Sequence, residues 1–263
     1  MTVFQRLNAG ENRIDLWLCA FEGITDSDLL ARYEAMLSPE ELARRDRLYR
    51  PRDQRRFLVT RALVRTILSR YSDRPPESWV FAANAHGRPE IAGDDPAARG
   101  LVFNLSHTDG LIVMGVTGGQ ALGVDVERLA RRVPLGVAGR FFAPEEVEAL
   151  HALPIRQQRR RFLDYWTLKE SYIKARGMGL AIPLRQFSFH FPSEGRVTLA
   201  TQPELEDAAE RWRLWQFLAL NSHLIAVCAE GRSGSRPSVE SWSIIPLMSE
   251  VPLGLELLRT SDP

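Results

Sequence analysis

Two short stretches of this chain occur twice at one spacing. Pro39-Glu-Glu41 returns as Pro144-Glu-Glu146, and Arg55-Arg-Phe-Leu58 returns as Arg160-Arg-Phe-Leu163, each displaced by the same number of positions, with Leu63 and Leu168 in the same frame. Two ungapped matches at one offset are hard to obtain from composition alone. At 263 residues the chain has room for two small domains. The repeat therefore predicts an α+β fold of two similar halves related by a pseudo-twofold axis, an internal duplication. Each half is expected to be an antiparallel sheet packed against a long helix, and a ligand site belongs in the cleft between copies. The boundaries read as residues 1–118 for the first half, 119–230 for the second and 231–263 for a C-terminal extension or tail.

Local signals fill in the halves. Ile14 to Phe21 reads as a first strand. Ser38-Pro-Glu-Glu41 is a capping box with proline at the first helical position. After a break near Pro51 the leucines of Arg55 to Leu68 fall at helical spacing. Trp79 to Ala83 is a short strand, Val102–His107 and Leu111–Val116 flank the hairpin dipeptide Asp109-Gly110, and Ala121 to Glu127 follows the turn at Gly118-Gly119. Three adjacent antiparallel strands are expected there. Two more hairpins follow, Phe187–Phe191 with Arg196–Ala200 and Arg213–Leu220 with Leu224–Ala229. Beyond Gly231 the Gly-Arg-Ser-Gly-Ser-Arg-Pro-Ser run has linker composition, leading to an added strand or a loose tail.

The second copy of the long helix carries the chemistry. Of 34 basic residues only two are lysine, Lys169 and Lys174, beside and four after Glu170. A chain that otherwise uses arginine has kept a compact ammonium at these two positions. Glu170 and Lys174 share one helix face. An isolated Glu-x-x-x-Lys is ordinarily a surface ion pair, but here Phe162, Tyr165, Trp166, Leu168, Tyr172 and Ile173 surround it, and buried charges need a partner. Gly177-Met-Gly179 offers a left-handed cap.

In Leu122-Gly-Val-Asp-Val-Glu127, alternation puts Asp125 and Glu127 on one face of a strand, about 6.5–7 Å apart at Cα. A bare Asp-x-Glu is usually a solvated edge. With Glu170 as a third carboxylate the set suits a hard divalent cation, Mg²⁺ first and Mn²⁺ next.

Charge and cysteine usage bound the alternatives. Net charge is +1, so no global field argues for nucleic acid or an anionic membrane. The arginines from Arg44 to Arg61 form a local cluster. Cys19 and Cys228 sit far apart in apolar runs and read as reduced core residues. No apolar run approaches membrane-spanning length, and the N-terminus lacks a signal-peptide pattern. A soluble, cytoplasmic protein is expected.

Phe103-Asn-Leu-Ser-His107, Gly123-Val-Asp-Val-Glu127 and Trp166-Thr-Leu-Lys-Glu-Ser-Tyr-Ile-Lys-Ala175 with its closing glycines, taken in order and spacing, resemble the 4′-phosphopantetheinyl transferases. The resemblance is to the long, pseudo-dimeric, surfactin-synthetase-activating type and covers roughly residues 12 to 230. It implies transfer of the phosphopantetheine arm of coenzyme A to a serine of an apo acyl or peptidyl carrier protein, releasing adenosine 3′,5′-bisphosphate. By position, Asp125, Glu127 and Glu170 correspond to the Mg²⁺ ligands, Glu170 to the base and Lys174 to the pyrophosphate contact. Ser106 and His107 correspond to phosphate contacts, His107 also with a catalytic part. Arg88, Arg44 and Arg56 match basic positions near the nucleotide, and Lys169 is counted with the cofactor-binding cations. Glu41 departs from the pattern, since some relatives place a lysine there.

Two other classes compete. An arginine-rich nucleic-acid-binding module would rest on Arg44 to Arg61, and a Mg²⁺-dependent nucleotide phosphohydrolase on the carboxylates. The chain has no glycine-rich P-loop and no nucleophile elbow. With the cleft filled by the chain's own duplication, a monomer is expected.

Overall fold

The computed structural model describes residues 7–10, 12–93, 98–179, 182–231 and 237–261. The linker-like run after Gly231 falls mostly outside them, as do Met1 to Arg6. Elements in chain order are β1 (Arg13–Cys19), α1 (Ser27–Glu34), α2 (Pro39–Asp46), α3 (Pro51–Leu68), β2 (Phe81–Ala83), β3 (Pro89–Ile91), β4 (Leu101–Thr108), β5 (Leu111–Gly118) and β6 (Leu122–Arg128). They continue with α4 (Ala138–Phe141), α5 (Pro144–His151), α6 (Ile155–Arg176), β7 (Phe187–His190), β8 (Thr198–Thr201), β9 (Trp212–Ala219), β10 (His223–Glu230), β11 (Ser238–Ile245), β12 (Ser249–Pro252) and β13 (Glu256–Thr260). The fold is mixed α and β.

Two larger sheets lie face to face. The first has strand order β12-β11-β1-β5-β4, the second β13-β9-β10-β6. Alternation divides each strand between two environments. Ile14, Leu16, Leu18, Leu111 and Val113 of the first sheet meet Val124, Val126, Phe217, Ile225 and Val227 of the second. On the outer face of the first sheet, Trp17, Cys19, Ile112 and Met114 pack under α1 and α3. On the outer face of the second, Ala226 and Cys228 pack under α5 and α6. The layers run helix, sheet, sheet, helix, and strands covered on both faces read as near-continuous apolar runs.

The element order repeats: β1-α1-α2-α3-β2-β3-β4-β5 and then β6-α4-α5-α6-β7-β8-β9-β10. In each series the last strand lies between the first and the next to last. The repeated Pro-Glu-Glu opens a short helix both times. At α2, Ser38 Oγ accepts from Glu41 N (3.3 Å) while Glu41 Oε2 accepts from Ser38 N (3.1 Å). At α5, Glu146 Oε2 accepts from Ala143 N (2.9 Å). Each glutamate also reaches a cation of the following long helix, Glu41 to Arg65 at 2.7 Å and Glu146 to Lys169 at 2.8 Å.

Two expectations need correction. β4 and β5 pair antiparallel through the Asp109-Gly110 turn, but β6 does not join them as a third strand. Both edges of β5 are taken, one by β4 and the other by β1, so β6 crosses to the second sheet and pairs with β10. Gly115 eases that crossing: a Cβ there would meet Val124 Cγ2 at 2.7 Å and Leu122 Cδ2 at 3.0 Å. The first sheet is also mixed, because β11 runs parallel to β1.

The C-terminal segment is built into both sheets. Trp242 of β11 stacks on Trp17 with ring centroids 5.6 Å apart, Arg70 grips both oxygens of Glu250, and β13 pairs with β9. Residues 237–261 are three strands crossing from one sheet to the other.

Candidate active site

The free edges of the two sheets meet along β4 and β6. These strands run side by side in one direction, joined by side chains of β4 in place of a backbone ladder. Asn104 Oδ1 accepts from Val124 N (2.8 Å), Ser106 Oγ accepts from Val126 N (3.3 Å), and Thr108 Oγ1 donates to Glu127 Oε2 (3.3 Å). Alternation along Asn104-Leu-Ser-His-Thr108 puts the three polar side chains on this seam.

Helix α6 closes the site from the second sheet's outer face. Its approach is set by Gly123, where a Cβ would fall 1.9 Å from Ser171 O and 2.4 Å from Ala175 N. Only glycine lets the helix backbone lie this close to the strand. One turn of α6 is thereby laid across Asp125 and Glu127, and Gly177, at φ 67, caps the helix.

The result is an open cleft of about 350 Å³ lined by Ser106, His107, Asp125, Glu127, Glu170 and Lys174, together with Leu105, Arg131 and Trp166. Asp125 and Glu127 are buried, so the solvated-edge alternative does not apply. Lys174 Nζ donates to Asp125 Oδ1 (2.6 Å), Ser106 Oγ (3.0 Å) and Val124 O (3.1 Å). An ammonium has three donors, and all three are used. Glu127 is held by Arg131 through an ion pair at Oε1. Among the described residues no three of His, Cys, Asp and Glu form a ready metal cluster. Asp125 and Glu127 each face a cation instead. One carboxylate oxygen, Asp125 Oδ2, is buried with no hydrogen-bond partner among the described residues.

The electrostatics follow from crowding. Burial first, and then the negative charge of Asp125, raises the pKa of Glu170 above the usual carboxylate range, partly offset by Lys174 and Arg131. His107 stands at the rim. Partial desolvation of its ring, followed by the positive charges of Arg56 and Lys174, lowers its pKa from the ordinary histidine value. A neutral imidazole here still has an N–H to donate.

Four cations expected at the site do not line this cleft. Lys169 is buried on another face of α6, where Glu146 Oε2 (2.8 Å), Leu184 O (2.8 Å) and Phe187 O (2.7 Å) saturate its ammonium. Its adjacency to Glu170 put it in the same motif, but successive helical residues point about 100° apart. Arg88 does not line the carboxylate cleft. It donates to the carbonyls of Lys174 (2.9 Å), Phe103 (3.2 Å) and Leu122 (3.3 Å), tying α6, β4 and β6 together behind it. Arg44 is exposed on α2 with its guanidinium 5.8 Å from the Phe57 ring centroid. Arg56 pairs with Asp53 at 3.1 Å and is near enough to act on His107.

Four of the eight arginines from Arg44 to Arg61 are committed to ion pairs within the chain, Arg56 among them. Arg45 binds Glu34 and Asp46, Arg52 binds Glu22 and Asp109, and Arg61 and Arg65 share Glu41. Glu41, the residue that departs from the family pattern, is thus the counterpart of Glu146. Reading by motif missed Arg131, although it stands four positions after Glu127, and it missed the structural demand behind Gly123.

Two family models divide the chain almost at the β5–β6 turn. Residues 25–117 match the model described as 4′-phosphopantetheinyl transferase, N-terminal, and residues 121–228 match the 4′-phosphopantetheinyl transferase superfamily. The chain is 36% identical over 198 residues to the 4′-phosphopantetheinyl transferase HetI of a Nostoc species, covering 75% of this chain and 80% of that one. It is 35% identical over 200 residues to a putative 4′-phosphopantetheinyl transferase of a Synechocystis species, covering 76% and 77%. Against the 4′-phosphopantetheinyl transferase Sfp of Bacillus subtilis it is 32% identical over 198 residues, covering 75% and 84%. With Ser106, His107, Asp125, Glu127, Glu170 and Lys174 drawn into one cleft at the junction of the two matched segments, the chain belongs to the 4′-phosphopantetheinyl transferase superfamily.

Proposed function

We propose that this protein transfers the 4′-phosphopantetheine group of coenzyme A to a serine hydroxyl of an apo acyl or peptidyl carrier protein. The observation that carries the reading is the single cleft in which three carboxylates, a lysine, a serine and a histidine from three elements converge, in a chain of this family. In the reaction the serine oxygen forms a bond to the phosphorus that bears the pantetheine arm. The bridging P–O bond breaks, and adenosine 3′,5′-bisphosphate leaves.

The donor set fits a hard divalent cation, Mg²⁺ or Mn²⁺. Asp125, Glu127 and Glu170 offer only oxygen, and Asp125 Oδ2 is buried with no partner among the described residues, a cost a cation would remove. Such an ion supplies charge stabilisation to the phosphate oxygens. The remaining work falls to the chain. Glu170, whose raised pKa makes it a better base than an ordinary carboxylate, takes the serine proton. Lys174, fixed by Asp125, Ser106 and Val124, sets its positive charge beside the pyrophosphate, Ser106 anchors Lys174 and Asp125 through its hydroxyl, the His107 N–H orients a phosphate oxygen, and Arg56 adds positive potential at the rim.

The same reading covers the architecture. Residues 1–118 and 119–230 are two copies of one ancestral unit, with 231–263 as an extension. Support comes from the repeated element order and the matched capping glutamates. A site completed by both halves of one chain fits a monomer. No helix among the described residues is long and apolar enough to cross a membrane, and the reading places the enzyme in the cytoplasm.

The test is incubation with coenzyme A, Mg²⁺ and an apo carrier protein, followed by intact mass. One added phosphopantetheine per carrier is the expected result. Phosphate release with an unchanged carrier would point to a phosphohydrolase, and salt-steep, metal-independent binding of DNA or RNA would point to a nucleic-acid module.

A further inference from the structure

Arg131 is a cleft residue that neither the motifs nor the mechanism above uses. It lies just after β6, its side chain is 49% exposed, and its Nη1 pairs with Glu127 Oε1 while Thr108 holds Oε2. It also lines the cleft with Trp166, Glu170 and Lys174, and its charge acts on Glu170. The cleft therefore balances three carboxylates, Asp125, Glu127 and Glu170, against two cations, Lys174 and Arg131.

The two cations differ in how firmly they are held. Lys174 is anchored by three acceptors on β4 and β6, whereas among the described residues the Arg131 guanidinium donates to Glu127 alone. An arginine half open to water exchanges partners at small cost, since such ion pairs are weak. Its planar fork matches a phosphate as well as a carboxylate.

We propose that Arg131 competes with the divalent cation for Glu127 and, once displaced, turns its charge to the pyrophosphate of coenzyme A. This rests on the metal reading given above. The consequence is a coupling between two ligands. A cation binding alone must break the Arg131–Glu127 pair and leave a guanidinium beside it. A cation binding with coenzyme A breaks the same pair, but the freed guanidinium then gains a phosphate partner. Each ligand therefore strengthens the other, by the same factor in either order. Arg131 is a positioning residue in this scheme. It acts by setting the occupancy of Glu127.

The experiment is a Mn²⁺ titration of the full chain followed by electron paramagnetic resonance, with and without saturating coenzyme A. Circular dichroism confirms the fold of each variant, and Arg131→Gln stands in should Arg131→Ala misfold. Arg131→Ala is expected to bind Mn²⁺ alone about two- to fivefold more tightly, the range an ion pair half open to water is worth. The gain in Mn²⁺ affinity conferred by coenzyme A should shrink at least as much, and Arg131→Lys should recover part of it. Unchanged Mn²⁺ affinity in both arms overturns the proposal, as does weaker binding of Mn²⁺ alone. If the wild-type chain takes up no Mn²⁺ even with coenzyme A, the metal reading fails with it, a result distinguishable from the first two.

Discussion

Gly123 lies so close beneath Ser171 that a side chain of even one carbon would overlap that residue's carbonyl oxygen, at 1.9 Å. The contact is backbone on both sides, so no rotamer change relieves it. Gly123→Ala must push α6 off β6, which costs about 3 kcal/mol, at the upper end for overpacking. Chemical denaturation will measure that loss. Because the same contact sets where Glu170 and Lys174 stand over Asp125, transfer by the folded fraction should fall about 100-fold, the effect of a misplacement near 1 Å.

Lys174 uses its three donors on three acceptors, at 2.6, 3.0 and 3.1 Å. A guanidinium carries the same charge but spreads five donors over a plane, and it cannot occupy that point. Lys174→Arg is expected to fold normally and lose about 100-fold in kcat for carrier loading, the scale for misplacing a group by about 1 Å at the reacting centre. Wild-type turnover in this variant would show that charge alone is needed.

Lys169 answers the same question with the opposite outcome for function. Its ammonium is also saturated by three acceptors, one of them the buried Glu146, but it faces away from the cleft. Lys169→Met leaves Glu146 unpaired and should cost about 3–5 kcal/mol at neutral pH, while turnover per folded molecule stays at the wild-type level. The pH dependence has a fixed sign. Burial already raises the pKa of Glu146, and Lys169 is the main opposing influence, so the variant's carboxyl moves higher still. A folded pKa above the unfolded one stabilises below the unfolded value and loses that contribution as pH rises through the folded value. The stability gap between variant and wild type therefore narrows toward acid, which melting curves from pH 4 to pH 8 will show.

These two lysines mark how far residues can be read without coordinates. Their rarity flagged both as places where an ammonium is required, and the structure gives each a three-acceptor cage. Which of them faces the ligand depends on the angle around α6 that packs on β6, and that is fixed by Gly123, a glycine whose purpose is invisible in one dimension. The hairpin through Asp109-Gly110 was legible because the turn and the two strands are contiguous. The destination of β6 was not, because it depends on β1, about a hundred residues upstream, having already taken the second edge of β5. The parallel pairing of β11 with β1 joins the two ends of the chain, and no local pattern reports it. The three carboxylates and Lys174 were recognisable from motif order, whereas Arg131 as the counter-ion of Glu127 follows from the fold.

Glu170→Gln separates stability from chemistry. Its carboxyl pKa is raised chiefly by burial and next by Asp125, so the ionised form is disfavoured in the folded chain. The folded pKa lies above the unfolded one, and the wild-type contribution present in acid is lost as pH rises through it. A neutral glutamine avoids that loss. Glu170→Gln should be as stable as wild type at pH 5 and more stable at pH 8, while carrier loading falls about 100-fold or more without the base. Reduced stability at pH 8 would contradict the assigned cause of the shift.

The C-terminal strands give the last test. Trp242 stacks on Trp17 at 5.6 Å with planes 20° apart, joining β11 to the first sheet, while its own indole N–H is buried with no partner among the described residues. The ring is therefore stabilising and its polar atom is not. Trp242→Phe keeps an aromatic face on Trp17 and removes the unpaired donor, so it should change stability by less than about 1 kcal/mol. Trp242→Ala removes the stack and opens a cavity beside β1, and should cost about 3 kcal/mol. Because β1 borders β5, whose other neighbour β4 carries Ser106 and His107, the alanine variant should also bind coenzyme A more weakly, measured by calorimetry. A fully stable Trp242→Ala would mean that β11 merely rests on the sheet it completes.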